Sequence, residues 1–537
     1  MSLKQEISFS DLTNKARSVK PSTVKAICFV IFSVIIIAQS WIADDSYHAF
    51  VMTKNFMNGY GLVYNIGERV NAATCPLMLL LVTALSCLTR HIELTAIAIG
   101  VVNSMISFGL IIRHIKSKSL MILATLICCL SYGFIAYTTS GLETSLIYLI
   151  QILYFDYVIN HKGKYSFKQL CYIALLCSLS LLTRFDTCFL MFFPTAYIFL
   201  RKKECSICKM LLAGFLGLQP FFAWLVFSVI YYGYPFPNTY YVKVRIDLPL
   251  VDYLAKGFNY FKVNLLCDPV TLIIILIALG VIICKGDSLR RMTAVGMIMK
   301  LVYILRIGGD FMLGRHLAGL FIVSVYLIFD YAESRKLYDK KKLAIVGGII
   351  PVIFIAGLMI SPLVLYPFNE IADERAVYIP YTSLHTIIKS EITKENYPLK
   401  KYSHIIKDVE ERIEMGYKGD ILYFAPGILV YNYGDRIRMT DQAALADPLL
   451  PYTGVDWERS YDVSLGQDKW RIGHLQRAIP DGYRESLHQN ANLITDPETR
   501  ELYDKILLVI RGEVFTRERF IAIWELNTKY SHFVAGG

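Results

Sequence analysis

Asp44 and Asp45 directly follow the first long apolar segment, so two adjacent carboxylates stand at the mouth of a hydrophobic helix. Charged groups at membrane depth are costly to desolvate and mark functional positions by default. A carboxylate within reach of a hydroxyl can take its proton, which is general-base chemistry. The competing account is a solvated helix start, because Asp is a favoured N-cap and suits a helix N-terminus electrostatically.

Other candidates lie between apolar segments. Residues 59–71 carry glycines at turn spacing and then Glu68 and Arg69. Such a loop can hold Arg69 at a membrane surface, where a guanidinium binds phosphate bidentately. The plain reading of Glu68 and Arg69 is an exposed ion pair. Pro235 and Pro237 stop a helix ahead of Asn238, several aromatics and Lys243. Lys243 is either a snorkelling lysine in an aromatic belt or a phosphate contact. Arg306, Asp310 and Arg315 bracket the Gly308-Gly309 turn. They converge on a ligand, or an Asp-Arg pair pins the loop. Glu143, Arg184 and Asp186 share that ambiguity, since buried charges also pair simply to satisfy one another. Asp441 and His474 fall in a polar C-terminal region, where a lone His is an ordinary surface or core residue.

The elements that must position these groups are membrane helices. The 537 residues are 55% apolar and 18% charged, a membrane composition. The formal charge of +11 admits nucleic acid or a membrane surface as partner. The basic residues fall in short runs between apolar segments, as the positive-inside rule predicts, so membrane lipid is expected and nucleic acid is not. All twelve cysteines lie between Cys28 and Cys284, most of them in apolar segments, which argues against a disulfide framework. Cys205 and Cys208 form a lone C-x-x-C, better read as free thiols than as zinc ligands. The polar, basic start and the long segment from Val24 predict no cleavable signal peptide.

Apolar segments occupy 24–42, 92–112, 120–138, 143–160, 169–183, 187–200, 209–232, 269–284, 292–306, 316–332 and 342–366. Reading 75–89 as a juxtamembrane helix puts every basic run on one side and predicts about eleven transmembrane spans. The N-terminus is then cytoplasmic. Asp44, Asp45, Glu143, Arg184, Asp186, the long loop 233–268 and the 306–315 turn all share the outer face. The expected organisation is a transmembrane domain, 1–366, whose 43–91 segment is an outer loop with juxtamembrane helices, and an extracytoplasmic mixed α/β domain, 367–537. In the latter, 420–425 and 505–510 read as buried strands and 393–416 as helix.

Read in order, these motifs resemble the GT-C superfamily of polytopic glycosyltransferases that use polyprenyl-phosphate sugars. The likeness is nearest to the cell-wall arabinofuranosyltransferase group. It rests on Asp44-Asp45, the 59–70 stretch ending Gly67-Glu68-Arg69-Val70, Ser140 to Thr144, Arg184-Phe185-Asp186, Pro237-Asn238-Thr239, Gly308 to Met312 with Arg315, and Gly473-His474. Val51, Phe185 and Asn71-Ala72 depart from the group's usual residues, which bears on the sugar and acceptor more than on the reaction class.

The resemblance implies a GT-C fold in a bacterial cytoplasmic membrane with its active site on the outer face. It further implies transfer of a sugar, a pentofuranose such as arabinofuranose being favoured, from a polyprenyl-phosphate donor to a glycan or protein hydroxyl. Asp44 is assigned as general base, with Asp45 orienting it or contacting the sugar, although neighbouring carboxylates titrate as a pair. Arg69, Lys243, Arg306 and Arg315 are the candidates for the donor phosphate. Tyr47, Glu143, Arg184, Asp186, Asn238, Asp310 and His474 are the candidates for substrate contact. A single displacement inverts the anomeric centre. No cofactor is required, and a divalent ion on Asp44, Asp45 and Asp310 is left open. The rival class is a transporter or flippase of lipid-linked saccharides, which would favour internal repeats and broken helices. A membrane-anchored scaffold is the third.

Overall fold

Pro21 opens the first helix, Pro21–Ala38, at the position where its missing N–H costs nothing. Cys28, Phe32 and Ile36, spaced four apart, form its buried stripe, while Ile27, Val30, Ile31 and Val34 face outward. A helix apolar on its outward face as well needs a non-aqueous surround. The Lys340–Leu365 helix makes the same point, with 11% of its most apolar window buried by protein.

The computed structural model describes residues 19–534 apart from 245, 247, 366–369, 394–396, 423–426, 461–469, 472 and 474. Among the described residues, four helices are long and apolar enough to cross a membrane: Pro21–Ala38, Ile92–Arg113, Arg315–Ser334 and Lys340–Leu365. Two bent pairs raise this to six if each is one span, Ile207–Gly217 with Gln219–Tyr232 at 51° and Leu250–Cys267 with Pro269–Lys285 at 108°. The chain is thus helical and membrane-embedded by length and apolarity. Helices fill the other apolar segments as well, but several are short: Lys118–Cys129, Thr144–Asn160, Phe167–Thr183 and Cys188–Arg201.

The 233–268 loop expected from sequence is largely helical, holding Asn238–Val244 and Leu250–Cys267. The second of these buries Gly257, Tyr260, Val263, Asn264 and Cys267 as a helical stripe.

Two cores matter for the site. One lies among the helices and includes Phe32, Tyr148, Leu190, Tyr260 and Phe321. The other joins Trp41, Tyr47, Leu79 and Tyr137 to Tyr378, Tyr402, Ile428 and Met439, so the polar C-terminal region packs directly on one end of the helices.

In that region Gly419–Leu422 pairs in parallel with Arg438–Asp441, Leu422 opposite Asp441, and the Gly427–Tyr433 helix lies in the connection. The strand expected at 420–425 is therefore present at its start. The one expected at 505–510 is not, because those residues belong to the helix Pro497–Arg511. Asp496 caps it by accepting the Thr499 N–H at 2.8 Å. Leu502, Ile506, Val509 and Ile510 then form a helical buried face that a six-residue apolar window cannot distinguish from a strand. The helix expected over 393–416 is observed as Ser403–Glu414, preceded by a 3-10 turn at Leu399–Tyr402. All twelve cysteines are free.

Candidate functional site

The Asp44-Asp45 turn is fixed from both sides. Trp41 Nε1 donates to the Ala136 carbonyl at 2.6 Å, and the Ser46 hydroxyl donates to the Ser140 carbonyl at 2.9 Å. The Ala43 N–H reaches that same Ser140 carbonyl at 2.9 Å, and the Ile42 N–H reaches the Thr382 carbonyl at 3.1 Å. Gly141 has φ +76° and a Cβ there would stand 3.0 Å from Ser46 Oγ, so only glycine lets the 140–144 turn lie against the carboxylate turn.

Asp45 stands at the N-cap position of Ser46–Met57, yet its side chain makes no capping bond. It is 31% exposed and reaches Arg315 Nη1 at 3.6 Å instead. Asp44 is 2% exposed. Its Oδ1 accepts the Ile428 N–H at 3.2 Å, and its Oδ2 has no hydrogen-bond partner among the described residues. Burial, and then the neighbouring Asp45 charge, push the Asp44 carboxyl up to about 8, against the Ile428 N–H, the Tyr402 hydroxyl and Lys401. Burial with Asp45 and Asp44 raises Glu374 to about 8 in the same way. Burial takes Asp441 to about 7, with Asp447 and Asp45 adding to it.

Beside this pair runs a chain of buried charges from four other segments. Arg315 donates to Asp310 through Nε at 2.7 Å and Nη2 at 3.2 Å. His316 lies 3.5 Å from both Asp310 and Asp186. Arg184 donates to Asp186 at 2.9 Å and to Glu143 at 2.9 Å, and Lys300 pairs with Asp186. Gly309, at φ +78°, lets the Asp310 turn close on Tyr260, since a Cβ there would meet the ring-bearing carbon at 2.4 Å.

The structure therefore brings together Asp44, Asp45, Glu143, Arg184, Asp186, Asp310 and Arg315. Lys300 and His316 belong with them and were not singled out from sequence. Lys300 had a signal, as the one charged residue in the apolar run 292–305. His316 had only its adjacency to Arg315.

Lys243 completes the cluster. It is open to solvent, and among the described residues it makes no salt bridge. Although part of the side chain reaches water, the protein packed around it, and then the nearby Arg315, hold its ammonium below the usual value, with Asp310 and Asp45 opposing them. An ammonium near a guanidinium and without a salt-bridge partner of its own is a place where an anion can be held.

Four sequence candidates lie elsewhere. Arg69 donates to the Val509 carbonyl at 3.2 Å and to the Gly512 carbonyl, so it caps the end of Pro497–Arg511. Glu68 is buried and pairs with Arg438 at 2.9 Å and Arg511 at 2.7 Å, which overturns the exposed Glu68-Arg69 pair. Arg306 is exposed, its guanidinium 5.6 Å from the Tyr253 ring centre. Asn238 bridges the Ala444 and Asp447 carbonyls at 2.7 and 2.8 Å. Tyr47 is fully buried, with its hydroxyl 2.7 Å from that of Tyr397. His474 lies outside the described residues. Among the described residues, no group of three or more His, Cys, Asp or Glu side chains is placed to hold a metal ion.

No protein family matches the chain, and no curated protein matches it significantly.

Proposed function

We propose that the chain is an inverting glycosyltransferase of the GT-C kind. In this reading it moves a sugar, a pentofuranose such as arabinofuranose being favoured, from a polyprenyl-phosphate donor to a hydroxyl of a glycan or protein. It would work at the outer face of a bacterial cytoplasmic membrane, with residues 367–537 on that side. The observation that carries the proposal is the meeting of a carboxylate pair with cations: Asp45 lies 3.6 Å from Arg315, and Lys243, which makes no salt bridge among the described residues, is close enough to feel the charge of both.

Asp44 in its ionised form is the proposed base, so transfer is expected to rise with pH up to about 8, where the carboxyl loses its proton. A buried carboxylate oxygen without a partner is costly to leave so, and an incoming hydroxyl would satisfy it. The acceptor O–H proton passes to Asp44 as the acceptor oxygen bonds to the anomeric carbon. The bond from that carbon to the phosphate oxygen breaks, and polyprenyl phosphate leaves with the electron pair. Lys243 and Arg315 stabilise the departing phosphate, an effect strengthened in a water-poor cleft. Arg69 and Arg306, engaged or displaced as described, drop out of that role. Glu143, Arg184, Asp186, Lys300 and His316 hold Arg315 and Asp310 in place.

The test is incubation of the purified chain with polyprenyl-phosphate pentoses and hexoses, with and without a glycan acceptor. The proposal expects acceptor-dependent release of polyprenyl phosphate. Movement of intact donor across proteoliposomes with no release would favour the transporter class instead.

A further inference from the structure

A second cavity lies between the 69–71 turn, the end of Gln219–Tyr232, the Asn238–Val244 helix and the C-terminal region. Aromatic side chains form much of its wall, among them Tyr234, Phe236, Tyr241 and Tyr452. Their rings are tilted rather than stacked; Tyr234 and Tyr241, for example, stand 5.3 Å apart at 59°. Asn71 and Arg69 also line it. Asn71 is 4% exposed and its Nδ2 has no acceptor among the described residues; the buried Nε of Arg69 has none either.

A buried donor without an acceptor is costly to the folded chain. Two such donors on one aromatic cavity mark a place where a ligand's oxygens complete the hydrogen bonding. Phosphate is a poor fit, because the Arg69 guanidinium is already held by the Val509 and Gly512 carbonyls. A neutral ring with apolar C–H faces and hydroxyl oxygens suits both halves of the wall.

We propose that this cavity binds one sugar unit of a saccharide acceptor, away from the reacting hydroxyl. The identity of that saccharide as the acceptor rests on the glycosyltransferase reading; the sugar-binding cavity does not. The Asn238–Val244 helix links the two places, since Asn238 and Tyr241 line the cavity and Lys243 lies within reach of the charges of Arg315 and Asp45. A helix is about 10–12 Å across with its side chains, a span a short oligosaccharide covers.

The test is titration calorimetry of the full chain in detergent with linear arabino-, galacto- and manno-oligosaccharides of four to six units. At least one should bind, and Tyr241→Ala and Asn71→Ser should each weaken it by about tenfold or more. Tyr241 lies on a helix surface, so its variant tests the cavity even if Asn71→Ser fails to fold. Absence of binding by every probe, or wild-type binding by a folded Tyr241→Ala, overturns the proposal. Where transfer is measurable, Tyr241→Ala should raise the acceptor KM and leave the donor KM in place; an unchanged acceptor KM also overturns it. Binding that the variants abolish, in a chain that transfers nothing, upholds the cavity and refutes the transferase.

Discussion

The backbone N–H of Ile428 donates to Asp44 Oδ1 at 3.2 Å, so the C-terminal region closes directly over the carboxylate turn. Gly427 lies against that turn, and a Cβ on it would stand 2.6 Å from the Asp44 carbonyl oxygen. Gly427→Ala must therefore push the region outward. It is expected to lower stability by about 1–3 kcal/mol and to reduce transfer. Thermal unfolding in detergent with a transfer assay checks this; wild-type values in both would contradict the closed contact.

The Asp44 carboxyl also makes stability depend on pH. Its ordinary value is 3.8 and its folded value is about 8. Folding is therefore linked to retaining a proton between these values, and the charged form costs the folded state on the order of a few kcal/mol. That cost is absent below about pH 4 and complete above about pH 8. Asp44→Asn escapes it, so the variant should gain on wild type as pH rises through this window. Melting curves at pH 4, 6 and 8 measure the gap, and a constant gap would contradict the buried, raised carboxyl.

The phosphate role separates Lys243 from Arg306. Lys243→Gln should lower kcat/KM for the donor by roughly a hundredfold, the scale of one lost electrostatic contact to the transition state. Arg306→Gln should change it little, because its guanidinium faces the Tyr253 ring. The opposite order would move the phosphate site to the other end of the turn.

Lys300 tests the buried charge chain. Lys300→Met leaves Asp186 with less compensation and should cost on the order of 3 kcal/mol. Adding Asp186→Asn should recover part of that loss, since the stranded charge is then gone. Unfolding of the single and double variants checks the coupling; additive losses would contradict it.

The sequence reading went furthest where a local pattern carries the information. Apolar runs located the helices because burial in lipid leaves long unbroken stretches. The 140–144 and 308–315 turns were legible because glycines mark tight approaches. Pairing across the chain was not legible: nothing local to Glu68 announces Arg438 and Arg511, and nothing near Arg69 announces the carbonyls of Val509 and Gly512. Arg306 and Arg315 likewise bracket one turn, but only Arg315 bonds to Asp310. The 505–510 run failed for a different reason, since its helical period shows only when extended back to Leu502. Short helices such as Thr144–Asn160 likewise leave the number of crossings open to direct topology mapping.

The most direct test is transfer by the Asp44→Asn variant, purified beside wild type and shown to be folded by its melting curve. The amide keeps an acceptor for the Ile428 N–H but cannot take a proton. The account predicts acceptor-dependent release of polyprenyl phosphate from wild type and none above background from the variant. Wild-type turnover by Asp44→Asn would contradict it.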